Sequence, residues 1–491
     1  MGCRNPNLNN TATNSLSVRN NPQAAISKIN EEIALGRVAG PFDSPPFKTF
    51  NISPLALREK KNSAKVRLLH NLSAPHNGNS VNANIPDEAA HVKYQSLLDA
   101  ISIIVENNCN YLAKSDIAEA YRLIPLHHSD HPLMGFKLNN KFYYDKCLPM
   151  GCRSSCAIFE TFSDALVDIL KSRFNVRHVV KILDDFLFLA PSHLECAQAL
   201  EKFRLLARFI NLPIADHKTS GPSTAIEFLG ITLDTEKREC RLPPDKLADY
   251  SEELKSLGRK KFCTIRQLKS MAGKLSFAST VIMPGRTFIR RVYDAMCGHH
   301  NSNALVKLGS GCRKDLEVWQ NFLENFNGKT FFKMLPAFDK NPFQLYTDSS
   351  GYGYGGILHP SFIQGVFPPS WLSFNIQILE LYPILSLLEI FKAKLAGRLV
   401  MVNCDNAAIV HSLNKLSSKN KFVMSLIRKI VIILLLHNIR IKAVHIPGKQ
   451  NYLADFLSRK QASWDLTSSF GLAPSPTQVP GAILPQNLSL D

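Results

Sequence analysis

Val179-Val-Lys-Ile-Leu-Asp184-Asp185-Phe-Leu-Phe-Leu189 sets two acids between two apolar runs. The flanks are nearly pure β-branched and aromatic, the composition of strands buried in a sheet, and the acids fall where a hairpin would turn. An isolated Asp-Asp turn is commonplace, because Asp tolerates turn geometry. Here a rigid sheet would present both acids side by side. Like charges held so close repel, and a divalent cation relieves that cost. A second strand-like stretch, Tyr111-Leu-Ala-Lys-Ser-Asp116, also ends on an acid. Brought in from a neighbouring strand, Asp116 would complete a set able to hold two Mg²⁺ ions, one activating a hydroxyl and one holding phosphate oxygens.

The rest of the chain gives these acids a setting. With 491 residues it is long enough for about three domains. Its 58 Lys+Arg against 40 Asp+Glu leave a net charge of +18, which points to a polyanion, nucleic acid first and an acidic membrane surface second. The longest apolar run, Ile430 to Leu436, is too short to span a bilayer and reads as part of a buried helix. No charged-then-apolar signal opens the chain, which predicts an intracellular protein, cytoplasmic or nuclear, without a membrane partner. Eleven cysteines, with no C-x-x-C pair, read as reduced thiols.

Composition also suggests boundaries. Residues 1–22, rich in Asn, Ser and Thr, predict a flexible lead-in, followed by an amphipathic helix from Ala24 to Leu35. A mixed α/β region occupies 23–235. Residues 236–340 read as helical and basic, with a capping box at Thr264-Ile-Arg-Gln267 opening a helix. A second α/β region covers 341–460, and the Pro-rich 461–491 read as linker or tail.

That second region holds four more acids. Asp348 and Asp405 end strand-like stretches, Glu380 lies in a helical stretch before Pro383, and Asp455 lies in a short helical one. Singly each suits capping or solvation. Together they could hold two more metal ions that activate water and stabilise a departing 3′ oxygen.

Asp116 and Ile182-Leu183-Asp184-Asp185 resemble the palm motifs of a retroelement reverse transcriptase, with Ile182 in place of the usual aromatic residue. The Asp, Glu, Asp, Asp order of the later quartet resembles a retroelement ribonuclease H domain. The resemblance implies an α/β (α+β) fold: a right-hand polymerase (fingers and palm 23–235, helical thumb and connection 236–340), then a ribonuclease H-like mixed-sheet domain (341–460). It implies RNA-directed DNA polymerase activity with hybrid ribonuclease activity. Its metal ligands would be Asp116, Ile117, Asp184 and Asp185 at one centre, and Asp348, Glu380, Asp405 and Asp455 at the other, with Mg²⁺ or Mn²⁺, two per centre.

The resemblance also assigns nucleotide contacts to Lys60 and Arg67 (triphosphate), Tyr121 (a gate against ribose), Met150 in Leu148-Pro-Met-Gly151, and Lys218 (proton donor to pyrophosphate). Phe228, Leu229 and Gly230 match a primer-gripping hairpin, and the basic residues Arg259, Lys260, Lys261 and Arg266 fit a thumb that tracks a duplex. Implied partners are RNA template, DNA primer, RNA–DNA hybrid and deoxynucleoside triphosphates.

Gly36-Arg-Val-Ala-Gly-Pro-Phe42, Arg67-Leu-Leu-His-Asn-Leu-Ser73, Gly151-Cys-Arg-Ser-Ser-Cys156 and Leu379-Glu-Leu-Tyr-Pro383 are similar to the tyrosine-recombinase, DIRS-like retrotransposons. No recombinase or aspartic protease signature is present, which leaves room for a separately encoded recombinase. The alternative is a decayed or repurposed element that binds nucleic acid without catalysis. Ile182, Met150 and Lys449, where many relatives carry a His after Pro-Gly, favour it.

Overall fold

The computed structural model describes residues 1–59, 66–76, 79–299, 301–325, 330–331, 341–437, 439–459, 469–488 and 490. The chain is a mixed helix-and-sheet protein that divides into two compact units, residues 1–229 with 234–236, and residues 230–233 with 237–491. No described helix is long and apolar enough to cross a membrane.

In the first unit the Asp-Asp stretch is a hairpin. Strands His178–Ile182 and Asp185–Ala190 pair antiparallel with Ile182 opposite Asp185, so Leu183 and Asp184 form the turn. Strand Tyr111–Asp116 pairs with the far side of Asp185–Ala190, and Ser220–Ser223 completes a four-stranded sheet. Helices Ser155–Phe174 and His193–Phe209 pack over it and bury Phe159, Phe186, Phe188 and Phe203 completely. Each such side chain contributes about 1.5–3 kcal/mol on burial, so the acids stand at the ends of well-anchored central strands. A separate hairpin pairs Leu55–Glu59 with Val66–His70, placing Arg58 opposite Arg67.

Residues 1–22 are not the flexible lead-in their composition suggests. Leu8 and Val18 are buried, and helix Leu16–Asn20 precedes the expected helix at Pro22–Ala34. Asn14 accepts the Leu55 N–H at 2.8 Å and donates to the Lys137 carbonyl at 2.8 Å. Asparagine reads as a loop residue, but its amide also satisfies distant strand edges.

The first part of the second unit holds helices Pro244–Gly258, Ile265–Ala278, Arg290–Met296 and Ser310–Asn325; the second opens with the Thr264–Gln267 capping box. A five-stranded sheet follows, in the order Ser361–Val366, Gly353–Leu358, Phe343–Ser349, Leu399–Cys404, Arg440–His445. The first three strands are antiparallel, and the last two join in parallel. Helices Ile376–Leu395 and Lys421–Leu436 pack together, while Tyr452–Arg459 lies on the central strands.

The described part of 461–491 is not a free tail. Leu472 is buried against Ile357, Phe362 and Leu457, and Ala473 and Thr477 donate backbone bonds to Pro360 and Phe362. Its prolines suit an extended segment laid along a sheet edge.

Candidate active sites

The first acid set converges. Asp116 is the register partner of Asp185, and Asp184 occupies the adjoining turn. Burial pushes the Asp185 carboxyl up to about 6, helped by a hydrogen bond shared with Asp116 and by the charge of Asp184. Burial, with the Asp116 charge, also raises Asp184. Lys218 Nζ lies 2.8 Å from both carboxylate oxygens of Asp116. A cleft of about 380 Å³ opens onto Asp116 and Asp185, lined also by His217, Lys218, Ser220 and Phe228. Two carboxylates that line one cleft, a third on the adjoining turn and an ammonium already drawn to Asp116 fit divalent cations. Ile117 offers no side-chain ligand, because its side chain is a hydrocarbon, here buried in the core, and only its carbonyl oxygen could serve.

The turn is held from behind. Glu160 accepts the Leu183 N–H at 2.9 Å, and Ser163 Oγ donates to the Leu183 carbonyl at 2.8 Å. Lys181, 3% exposed, pairs with Glu160 at 2.8 Å and with Asp164 at 2.8 Å. Leu183 has φ of 54°, a left-handed conformation uncommon for leucine, and these bonds fix it. Sequence reasoning missed this clamp. The signal available was Lys181 alone in an otherwise apolar strand, which demands a buried acid.

The other assigned residues lie in varied settings. Tyr121 is half-buried, its ring edge-on to Phe159 at 5.6 Å and its hydroxyl 3.2 Å from Cys156 Sγ. Met150 is 51% exposed, on a loop where Gly151 is obligatory: a Cβ there would lie 1.8 Å from the His70 carbonyl oxygen. Arg67 is exposed on its strand; Lys60 lies outside the described residues. Phe228 is buried, while Leu229 and Gly230, with φ of 50° and 75°, form the turn where the chain passes between units. In the second unit Arg259, Lys260, Lys261 and Arg266 are all exposed.

The second set converges too. Asp348 lies near the end of its strand, Asp405 follows the parallel neighbour, Glu380 comes from Ile376–Leu395 and Asp455 from Tyr452–Arg459. Burial raises Asp348, the Asp405 and Asp455 charges adding to it. Burial pushes Glu380 up to about 9, with Asp348 and Asp405 adding. Ser458 Oγ donates to Asp348 at 2.7 Å, and Arg459 pairs with Asp455 at 2.7 Å. Glu380 Oε2 is buried without a hydrogen-bond partner, an orphan that a cation would satisfy.

Two local devices seat these acids. Gly355 lets the Asp455 helix touch the sheet: a Cβ would meet Leu457 Cβ at 2.5 Å and the Ala454 carbonyl at 2.7 Å. Pro383 sits inside the Glu380 helix and has no N–H for the Leu379 carbonyl four residues back. Ser349 Oγ, next to Asp348, donates to that carbonyl at 2.9 Å. The proline defect thus docks one acid-bearing element on another. His445 ends its strand, exposed, with Nε2 3.0 Å from the Asp405 carbonyl.

Residues 60–233 match the reverse transcriptase (RNA-dependent DNA polymerase) family. A Gag-Pro-Pol polyprotein of human T-cell leukemia virus 3 (strain 2026ND) is 25% identical over 258 residues, 51% of this chain and 16% of the polyprotein. A retrovirus-related Pol polyprotein from the Drosophila melanogaster transposon opus is 23% identical over 389 residues, 74% of this chain and 36% of its own length. A foamy viral protease-reverse transcriptase, solved in complex with an RNA/DNA hybrid, superposes with a TM-score of 0.52 at 15% identity, covering 89% of this chain and 55% of the viral one. The chain therefore carries a reverse transcriptase domain, has retroviral and transposon Pol polyproteins as relatives, and has a polymerase fold. It spans well under two thirds of the length of those polyproteins.

Proposed function

We propose that this chain is an RNA-directed DNA polymerase of a retrotransposon whose second unit is a ribonuclease H acting on RNA–DNA hybrids. The observation that carries the reading is Asp116 set opposite Asp185, with Asp184 on the adjoining turn, in a segment that matches the reverse transcriptase family. The sheet order and the Asp348, Glu380, Asp405, Asp455 quartet support the nuclease half. Two Mg²⁺ or Mn²⁺ ions per centre would activate the attacking hydroxyl or water and neutralise the departing oxygen.

The chain's own groups supply the rest. Lys60 and Arg67 grip the triphosphate, with Arg suited to a forked contact. Tyr121 excludes a ribose 2′-OH, Met150 packs under the nascent base pair, and Lys218 gives its proton to the departing pyrophosphate. The turn at Phe228, Leu229 and Gly230 holds the primer, and Arg259, Lys260, Lys261 and Arg266 follow the duplex backbone. The motifs favour the DIRS-like class and an intracellular site of action, with any recombinase supplied separately.

One observation favours the non-catalytic alternative. Lys449 follows Pro447-Gly448, and His445, the nearest imidazole, is tied to the Asp405 carbonyl. Primer extension on RNA, scored beside Asp185→Asn, separates the two readings.

A further inference from the structure

Asp405 has an unusual neighbour. Among the described residues Glu380, Cys404 and Asp405 each offer a ligand atom, and these atoms all lie within 4.8 Å of one another. Cys404 is fully buried and Glu380 is 4% exposed, whereas Asp405 is half-exposed and gives the group its contact with solvent. Glu380 Oε2 has no hydrogen-bond partner.

The donor set is mixed, and that matters chemically. Magnesium takes oxygen ligands and gains nothing from a thiol. Thiolate sulfur with carboxylate oxygens suits zinc and softer cations. Tetrahedral zinc would hold sulfur and oxygen ligands about 3.6 Å apart, so these atoms need close by only about an ångström.

We infer that Glu380, Cys404 and Asp405 form a site for thiophilic divalent cations, Zn²⁺ or Cd²⁺. On binding, the Cys404 S–H bond breaks, its proton passes to solvent, and the sulfur lone pair bonds the cation; nothing is oxidised or reduced. The bound ion takes two of the four acids proposed for hybrid hydrolysis, so it competes with the hard cations that hydrolysis needs. Binding stands on the geometry alone; the inhibition rests on the proposed nuclease reading.

The test is a Cd²⁺ titration of the full chain in excess Mg²⁺, followed by the ultraviolet sulfur-to-cadmium charge-transfer band. Wild type should show a tight component that both Cys404→Ser and Glu380→Gln lose or weaken at least tenfold. Identical titrations for wild type and Cys404→Ser would overturn the inference. So would loss in Cys404→Ser with retention in Glu380→Gln, which would put the thiol in some other site. Wild type also supplies a check that needs no variant to fold: Zn²⁺ should slow alkylation of Cys404 but not of Cys196, a buried thiol in the first unit. Equal effects on both would overturn the site. Cd²⁺ should inhibit hybrid cleavage at least tenfold more strongly in wild type than in Cys404→Ser. A chain with no cleavage at all counts against the nuclease reading, and the band then decides the site.

Discussion

Asp116 and Asp185 stand directly opposite each other on adjacent antiparallel strands, and Lys218 bridges both carboxylate oxygens of Asp116. Two facing acids at the ends of paired central strands destabilise a fold unless a cation compensates. Here an ammonium already meets part of that demand, which is the electrostatic signature of a place built for positive charge.

The cation demand should depend on pH. The Asp185 carboxyl is raised to about 6 by burial, the Asp116 hydrogen bond and the neighbouring charges. A carboxyl raised on folding favours the folded state while it keeps its proton, so without a divalent cation its contribution falls as pH climbs from about 4 toward 6. Mg²⁺ or Mn²⁺ should therefore raise the melting temperature more at pH 7.5 than at pH 5, and Asp185→Asn should reduce the difference. An equal shift at both pH values would contradict this.

The clamp behind the turn should separate stability from rate. Glu160→Ala leaves buried Lys181 with the exposed Asp164 as its one carboxylate partner, beside the carbonyl of residue 160, and should cost about 3–5 kcal/mol in urea unfolding. The double variant Glu160→Leu with Lys181→Met should recover most of that stability. Extension should stay slow in it, because Leu183 N–H still lacks its acceptor.

Acid should unfold the first unit through a different group. Burial acts to raise Asp145, but Arg122 at 2.7 Å and His70 at 2.8 Å outweigh it and hold the carboxyl below its ordinary range. A depressed carboxyl contributes its full stability above the unfolded value of about 3.9, and that is lost as pH falls through the folded value. Thermal melts between pH 7 and pH 3 should show a steeper loss for wild type than for Asp145→Asn.

The proline device in the second unit can be reversed. Ser349→Ala strands the Leu379 carbonyl, at a cost of about 1–3 kcal/mol, and should slow hybrid cleavage while leaving extension intact. Adding Pro383→Ala restores a helical N–H to that carbonyl and should recover stability. Melting curves of the two variants check it; no recovery would mean the bond is incidental.

Much of the first site was legible because its signals are local. Apolar flanks mark the Asp184-Asp185 hairpin, an apolar run stops at Asp116, and Thr264 with Gln267 announces a helix start. The contacts that stayed hidden join distant residues. Nothing near Lys218 points to Asp116, nothing near Lys181 to Glu160, and Pro383 reads as a helix end until Ser349 supplies its missing bond. Residues 1–22 and 469–488 misled for the same reason: asparagine and proline suit loops, yet here they serve the edges of distant strands.

Primer extension on an RNA template with deoxynucleoside triphosphates and Mg²⁺ or Mn²⁺ tests the central claim most directly. Wild type should extend the primer, and Asp185→Asn should reduce the rate by a thousandfold or more, roughly 4 kcal/mol of lost transition-state stabilisation. Asp348→Asn should extend like wild type while hybrid cleavage disappears. Equal extension by wild type and Asp185→Asn would contradict the account.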